Sequence, residues 1–382
     1  MEAKKITICS VGDLMLCDSP LYVSVGVGTN YPKIRKQLYS NCQDDLKSGD
    51  ITIGNLESVF YIPPKNNLKE RQMICPAEAI TDLKKAGFNV LNVANNHCLQ
   101  HGTDSFFKTI SLCRDSGITA VGSKNEDICY LKIKDVTAAF LSLCLVYERY
   151  QPADIQYQDN ITHVVDMIKK IKEAKENSLI IISVHWGDEF TTYPSNAQIT
   201  LAHKLIEYGA NIILGHHSHV FQGVEEYKNG LILYGQGNFI SDMKPELCSE
   251  TGITKIYAEE TDVGFKLYYE IIPYKINDFI PVKNKGEWII QRQKDLQNAL
   301  ENRISDDVYW ENKTKNHKTC HEVFKSYFIS HIKQYDLRIS SQMIMEFGLR
   351  KIGKLTGSYV SGRGSSMDGK IYSQLDSIEK NY

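Results

Sequence analysis

Along this chain short apolar runs repeatedly stop, usually at a small residue, and hand over to side chains able to bind a cation. Ile6 to Val11 leads to Gly12-Asp13, and Asp50 to Ile53 leads to Gly54-Asn55-Leu56-Glu57. Phe88 to Val93 leads to Ala94-Asn95-Asn96-His97, and Leu179 to Val184 leads to His185-Trp186-Gly187-Asp188-Glu189. Ala210 to Leu214 leads to Gly215-His216-His217-Ser218-His219, and Leu231 to Tyr234 leads to Gly235-Gln236-Gly237-Asn238. Apolar runs of this length bounded by turn residues read as buried strands. Open α/β sheets place ligands at the carboxyl ends of their strands. The recurrence therefore constrains the chain to a fold that gathers strand ends.

Helical patterns separate these runs. Pro76 to Ala86 opens on proline and closes at Gly87, as a well-punctuated helix does. Asp104 to Arg114, Ile161 to Lys175 and Ala197 to Tyr208 are further helices, and Leu131–Lys134 with Ala138–Val146 reads as a strand pair turning at Asp135. The expected class is α/β. A length of 382 residues suits one large α/β core with an appendage.

Charge and targeting signals narrow the function classes. A formal net charge of −2 gives no nucleic-acid footprint. No run of 18 apolar residues marks a transmembrane helix, and the amino terminus leads directly into the first strand without a signal-peptide pattern. The ten cysteines are scattered without a CxxC pair, as expected of reduced thiols. A cytoplasmic location follows as the expectation, with room for peripheral membrane association.

Beyond about residue 285 the pattern changes. Trp288 to Arg303, Thr319 to Lys333 and Leu337 to Lys354 are helix-like, and the last stretch is rich in Gly and Ser. The expected division is a site-bearing domain over 1–280, a helical appendage over 281–355 and a flexible tail over 356–382. His317 and His321 have i,i+4 spacing but no acidic partner pattern, and they read as a surface pair.

The strand ends present Asp13, Glu57, Asn96 with His97, His185, and His217 with His219. Each is unremarkable alone, but together they form a mixed carboxylate, amide and imidazole donor set. Without thiolates, such a set suits Mn, Fe, Zn or Mg rather than a structural zinc. Two divalent cations held close together polarise a phosphoryl or carbonyl oxygen and make water more acidic. A nearby histidine that is not a ligand can protonate a leaving group.

Six segments in order carry a family resemblance: GDLM at 12–15, GNLE at 54–57, ANNH at 94–97, HWGDE at 185–189, GHHSH at 215–219 and GNF at 237–239. Over about residues 5–275 the chain resembles the CapA family of capsule and poly-γ-glutamate biosynthesis proteins, relatives of the calcineurin-like metallophosphatases. The resemblance implies a four-layered α/β/β/α metallophosphatase-like sandwich with two divalent metal ions. It implies Asp13, Glu57, Asn96, His185, His217 and His219 as metal ligands, with Glu57 in the bridging place, and His97 as the proton-donating catalytic residue. His216, Asn55, Asn95 and Asn238 would orient ligands or touch substrate. Glu189 stays open between ligand, base and substrate contact.

The chain departs from the family pattern at three places. Gln100 stands where an aspartate is usual, Ser218 replaces a proline, and Gly235-Gln236 replaces Ser-Leu before GNF. Three functions are compatible with the residues. The first is a metal-dependent hydrolase or transferase acting on a phosphoryl or γ-glutamyl centre in capsule or poly-γ-glutamate metabolism. The second is a cytoplasmic phosphoesterase acting on a polysaccharide or nucleotide intermediate. The third is a non-catalytic accessory subunit that docks a polymer synthase through its carboxyl-terminal helices. The expected partner of the site is an anionic polymer or a phosphate ester.

Overall fold

In a computed structural model of the chain, residues 4–61, 71–147, 156–174, 177–341, 344–345 and 366–381 are described. The strands are β1 (Lys5–Leu14), β2 (Ile51–Leu56), β3 (Val90–Asn92), β4 (Thr119–Val121), β5 (Cys129–Ile133), β6 (Val136–Cys144) and β7 (Ser178–His185). They continue with β8 (Ile212–His216), β9 (Phe221–Tyr227), β10 (Gly230–Gln236), β11 (Asn238–Ile240), β12 (Glu250–Thr261), β13 (Gly264–Asn277) and β14 (Ile280–Lys283). Two mixed sheets result. One has the order β14-β13-β12-β1-β2-β3-β4, with β11 added alongside β1, and the other runs β5-β6-β7-β8-β10-β9.

Each sheet has a parallel centre. β1, β2, β3 and β4 pair in parallel, and so do β6, β7, β8 and β10. Antiparallel strands flank these centres: β12, β13 and β14 on one side of the first sheet, and β5 and β9 at the two edges of the second. Parallel pairing brings carboxyl ends level, which explains how residues distant in sequence reach one row. Asp13 lies opposite Asn55 and Asn238, and Asn55 lies opposite Asn92. In the other sheet His185 lies opposite His216.

The strand β7 shows why its sequence is an unbroken apolar run. Successive side chains of a strand point to opposite faces. Leu179 and Ile181 join a core cluster with Ile6, Ile8, Ile51 and Ile53 of the other sheet. Ile180, Ile182 and Val184 join a second cluster with the helices Ile161–Glu173 and Asn196–Tyr208. A third cluster sets Cys9, Val11 and Leu91 against the helices Val27–Ile34, Ala79–Ala86 and Thr103–Asp115. Burial on both faces leaves no polar face for alternation to reveal.

The last third of the chain differs from its sequence expectation. The helix expected over Thr319–Lys333 begins at Asp306 and runs to His331. Its early turns are mostly polar, so no apolar stripe announces them. Of the helix expected over Leu337–Lys354, 342–343 and 346–354 lie outside the described residues. The flexible tail expected over 356–382 is corrected for most of its length, because Ser366–Asn381 is a helix. Its Met367, Ile371, Leu375 and Ile378 bury in the second core cluster. That i, i+4, i+8, i+11 stripe is present in the sequence, but only four positions carry it. Residues 356–365 lie outside the described residues.

Candidate metal centre

Two close backbone approaches shape the strand ends. A Cβ on Gly12 would lie 2.0 Å from the Gly237 carbonyl oxygen, and one on Gly215 would lie 2.0 Å from that of Tyr234. Only glycine lets these chains meet, and the contact sets Asp13 beside Asn238, with the Asp13 N–H donating to Gly237 O at 2.9 Å. After β8 the chain turns sharply. His217 and His219 both take left-handed backbone conformations, with φ of 88° and 55°. Such conformations cost about 1–3 kcal/mol each and persist where surrounding structure enforces them.

Glu57 is the focus of the centre. It is fully buried, and its Oε1 lies 3.9 Å from Nε2 of His97, of His185 and of His219. That separation is too long for a hydrogen bond. For His185 and His219 it matches the spacing of about 3–4 Å between donor atoms that share one ion at about 2.1 Å. Two groups here could hold a metal ion: Glu57 with His185 and His217, and Asp13 with Glu57 and His219. Within each, the donor atoms lie within 4.8 Å of one another. Glu57 belongs to both.

Asp13 is also fully buried. It accepts a hydrogen bond from Asn55 Nδ2 at 2.9 Å, while Nδ1 of His216 and of His219 stand 3.2 and 3.3 Å from its oxygens. Burial pushes its carboxyl up, but the hydrogen bonds and charges of His216 and His219 win and hold it well below the usual range. Asn96 Oδ1 lies 2.8 Å from His185 Nε2, joining the loop after β3 to the end of β7. His219 Nδ1 lies 2.9 Å from Asn238 Oδ1. Asn95 donates to Leu56 O at 2.9 Å, and its Oδ1 accepts from the His97 N–H at 3.2 Å.

Every residue to which the resemblance gave a role thus lies in or beside one buried cluster, except Glu189, which stands half-buried at its rim. The donor set fits divalent cations. The imidazole Nδ1 of His217 is buried and makes no hydrogen bond among the described residues. A cation beside it would satisfy an atom that is otherwise costly to bury.

The comparisons with known proteins bear on this cluster. The family model "Bacterial capsule synthesis protein PGA_cap" matches residues 7–243, more than half the chain and every strand end just described. The chain belongs to this family. The capsule biosynthesis protein CapA of Bacillus anthracis is 27% identical over 297 residues, covering 73% of this chain and 70% of that protein. The PGA biosynthesis protein CapA of Bacillus subtilis is 25% identical over 302 residues, covering 74% of each. A probable polyglutamine synthesis accessory protein of Mycobacterium tuberculosis is 24% identical over 219 residues, covering 50% of this chain and 56% of that one.

Within this PGA_cap member the histidines have contrasting electrostatics. Burial and the neighbouring His217 push His185 well down, which favours the neutral ring a metal requires. Burial pushes His217 down to about 4, against the pull of Glu189. Burial also opposes the charge on His219, but Glu57 and Asp13 outweigh it and raise that ring to about 10. Glu189 is raised by burial, then lowered overall by His219, His217, His317 and His97.

Two of the three departures from the family pattern have structural answers. Gln100 Oε1 lies 2.9 Å from His97 Nδ1, so a neutral amide takes the orienting place of the usual aspartate. Gln236 accepts from Ser10 Oγ at 2.7 Å, tying β10 to β1. Sequence reading missed Asn92, which is fully buried, donates to Asn55 Oδ1 at 2.9 Å and accepts from Ser142 Oγ at 2.7 Å. Its signal was a lone amide inside the apolar run Val90-Leu91-Asn92-Val93. Among the described residues no helix is long and apolar enough to cross a membrane.

Proposed function

We propose that this chain is a metal-dependent hydrolase or transferase of capsule or poly-γ-glutamate synthesis, acting on a phosphoryl or γ-glutamyl centre of an anionic polymer or phosphate ester. The supporting fold reading is a four-layered α/β/β/α sandwich of metallophosphatase type carried by 1–280, with the helices after 281 appended. The three core clusters, one between the sheets and one outside each, favour that layering. The observation that carries the functional reading is Glu57, shared by both potential ligand groups and 3.9 Å from three imidazoles.

In this reading Asp13, Glu57, Asn96, His185, His217 and His219 hold two divalent cations, of Mn, Fe, Zn or Mg type. Bound there, such ions supply Lewis-acid polarisation of a phosphoryl or acyl oxygen and a more acidic water. The protein's own contribution is geometric and protonic. Asn55, Asn238 and His216 fix the Asp13 and His219 side chains. His97, with Nδ1 held by Gln100 and Nε2 turned toward Glu57, carries the proton for the leaving group.

A second reading has a specific support. Relatives of this chain in Mycobacterium tuberculosis are named as synthesis accessory proteins. In this second reading the candidate ion-binding cluster of this chain serves a subunit that docks a polymer synthase. One experiment separates the two: assay of Mn-loaded protein against phosphate esters and poly-γ-glutamate, with Asp13→Asn and His97→Ala beside it. Turnover that Asp13→Asn and His97→Ala abolish supports the enzyme. Two bound ions without turnover of either substrate class favour the accessory subunit. An Asp13→Asn protein with full ion content and activity removes the site assignment.

A further inference from the structure

The loop that follows His185 is held residue by residue from the last third of the chain. The Gly187 N–H donates to Met367 Sδ at 3.1 Å. Asp188 accepts from the Tyr309 hydroxyl at 3.2 Å and pairs with Lys313. Glu189 Oε2 lies 3.8 Å from His317 Nε2, and Phe190 O accepts from Asn316 Nδ2 at 2.9 Å. Tyr309, Lys313, Asn316 and His317 fall at i, i+4, i+7 and i+8, so one face of the helix Asp306–His331 grips this loop.

Phe190 carries the connection inward. Its backbone sits at a φ of 64°, and its N–H donates to Ser218 O at 2.8 Å, between the two histidines of the metal cluster. Its ring stands between His219, at 6.4 Å, and His317, at 5.1 Å and edge-on. The His317 side chain is 53% exposed and that of Glu189 36%, whereas His219 is 2% exposed. The line His219, Phe190, His317 therefore runs from the buried cluster to open solvent. At its outer end a carboxylate and an imidazole face each other.

We propose that His317 is a substrate-positioning residue, donating an imidazole N–H to an anionic oxygen of a substrate that enters over the Phe190–Glu189 rim. An oxyanion approaching the centre meets the Glu189 carboxylate, and like charges in contact oppose binding. His317 supplies the donor there that offsets this, with its ring fixed by the Phe190 edge. The helix lies outside residues 7–243 matched by the family model. The inference rests on the reading of the centre as a site for phosphoryl or γ-glutamyl substrates.

The test uses full-length Mn-loaded protein titrated calorimetrically with inorganic phosphate and, separately, with a short γ-linked glutamate oligomer. The two arms tell a phosphoryl from a carboxylate oxygen. His317→Ala is expected to weaken one of them by about tenfold or more, the worth of one hydrogen bond to a charged group. Ion content and Tm should match the wild type. His317→Gln, which keeps an N–H donor, should recover part of the loss, and Lys318→Ala, exposed on the same helix, should change nothing. Unchanged affinity in His317→Ala overturns the proposal, as does a loss of ions or of Tm in that variant. Wild-type protein that holds ions but binds neither probe removes the underlying functional reading, and this proposal with it.

Discussion

Asn96 and His185 meet across the two sheets, with Oδ1 of one 2.8 Å from Nε2 of the other. Both atoms are metal donors in the proposed centre, and they stand close enough to share one ion. Asn96→Ala removes a donor and leaves His185 Nε2 buried without this partner. Ion affinity should fall by at least the roughly 10–100-fold that losing an outer-shell partner costs. Elemental analysis after dialysis against graded chelator measures this, and undiminished affinity would strike Asn96 from the ligand set.

Proton release on metal binding follows from His219. Its ring is raised to about 10, burial opposing and Glu57 with Asp13 prevailing, so it is protonated in the ion-free protein near neutral pH. The sign is that of a raised histidine. The stabilisation is fully present below the ordinary value near 6.5, and it is lost as pH rises through about 10. A metal needs the neutral ring and must displace that proton. Calorimetric titration at pH 8 in buffers of different ionisation enthalpy should therefore report protons released to the buffer. No release at pH 8 would show that Glu57 and Asp13 do not hold the His219 proton to that pH.

Gln100→Asp should shift the pH–rate profile of any turnover. The amide holds His97 Nδ1 at 2.9 Å without a charge. A carboxylate in that place favours the protonated imidazole. The limb assigned to His97 as acid should move to higher pH by about one unit or more. Ion content should stay the same. An unmoved limb would detach His97 from the proton transfer.

Much of this was legible in the sequence because strand ends announce themselves. A β-branched run, a glycine and a donor is a local pattern, and parallel pairing turns several such patterns into one row. Asn92 was not legible, because its partners Asn55 and Ser142 come from other strands and no local pattern names them. His317 read as a surface residue because its spacing to His321 was the only relation visible. Its contacts with Glu189 and Phe190 span more than a hundred residues of chain. The helix Ser366–Asn381 was hidden differently. Its stripe of four apolar residues follows a Gly- and Ser-rich stretch, and a polar helix is recognisable mainly by what it packs against.

That last helix gives a prediction on stability. Ile371 is fully buried among residues of the helices Ile161–Glu173 and Asn196–Tyr208. Polar contacts also tie this helix down: Gln374 Oε1 accepts from the Ile161 N–H at 2.6 Å, Asp368 accepts from Ser195 Oγ at 3.0 Å, Lys370 pairs with Asp159, and Glu379 pairs with Lys204. A flexible tail would tolerate Ile371→Ala without cost. A core residue truncated to alanine costs about 2–5 kcal/mol, because the transfer energy is lost and a cavity remains. Denaturant unfolding of Ile371→Ala should show that loss, whereas Ser377→Ala, exposed on the same helix, should lie within about 0.5 kcal/mol of wild type. Equal stability of the two variants would return the segment to a tail. Because the Gly187 N–H rests on Met367 of this helix, a destabilised Ile371→Ala protein should also hold its ions less tightly.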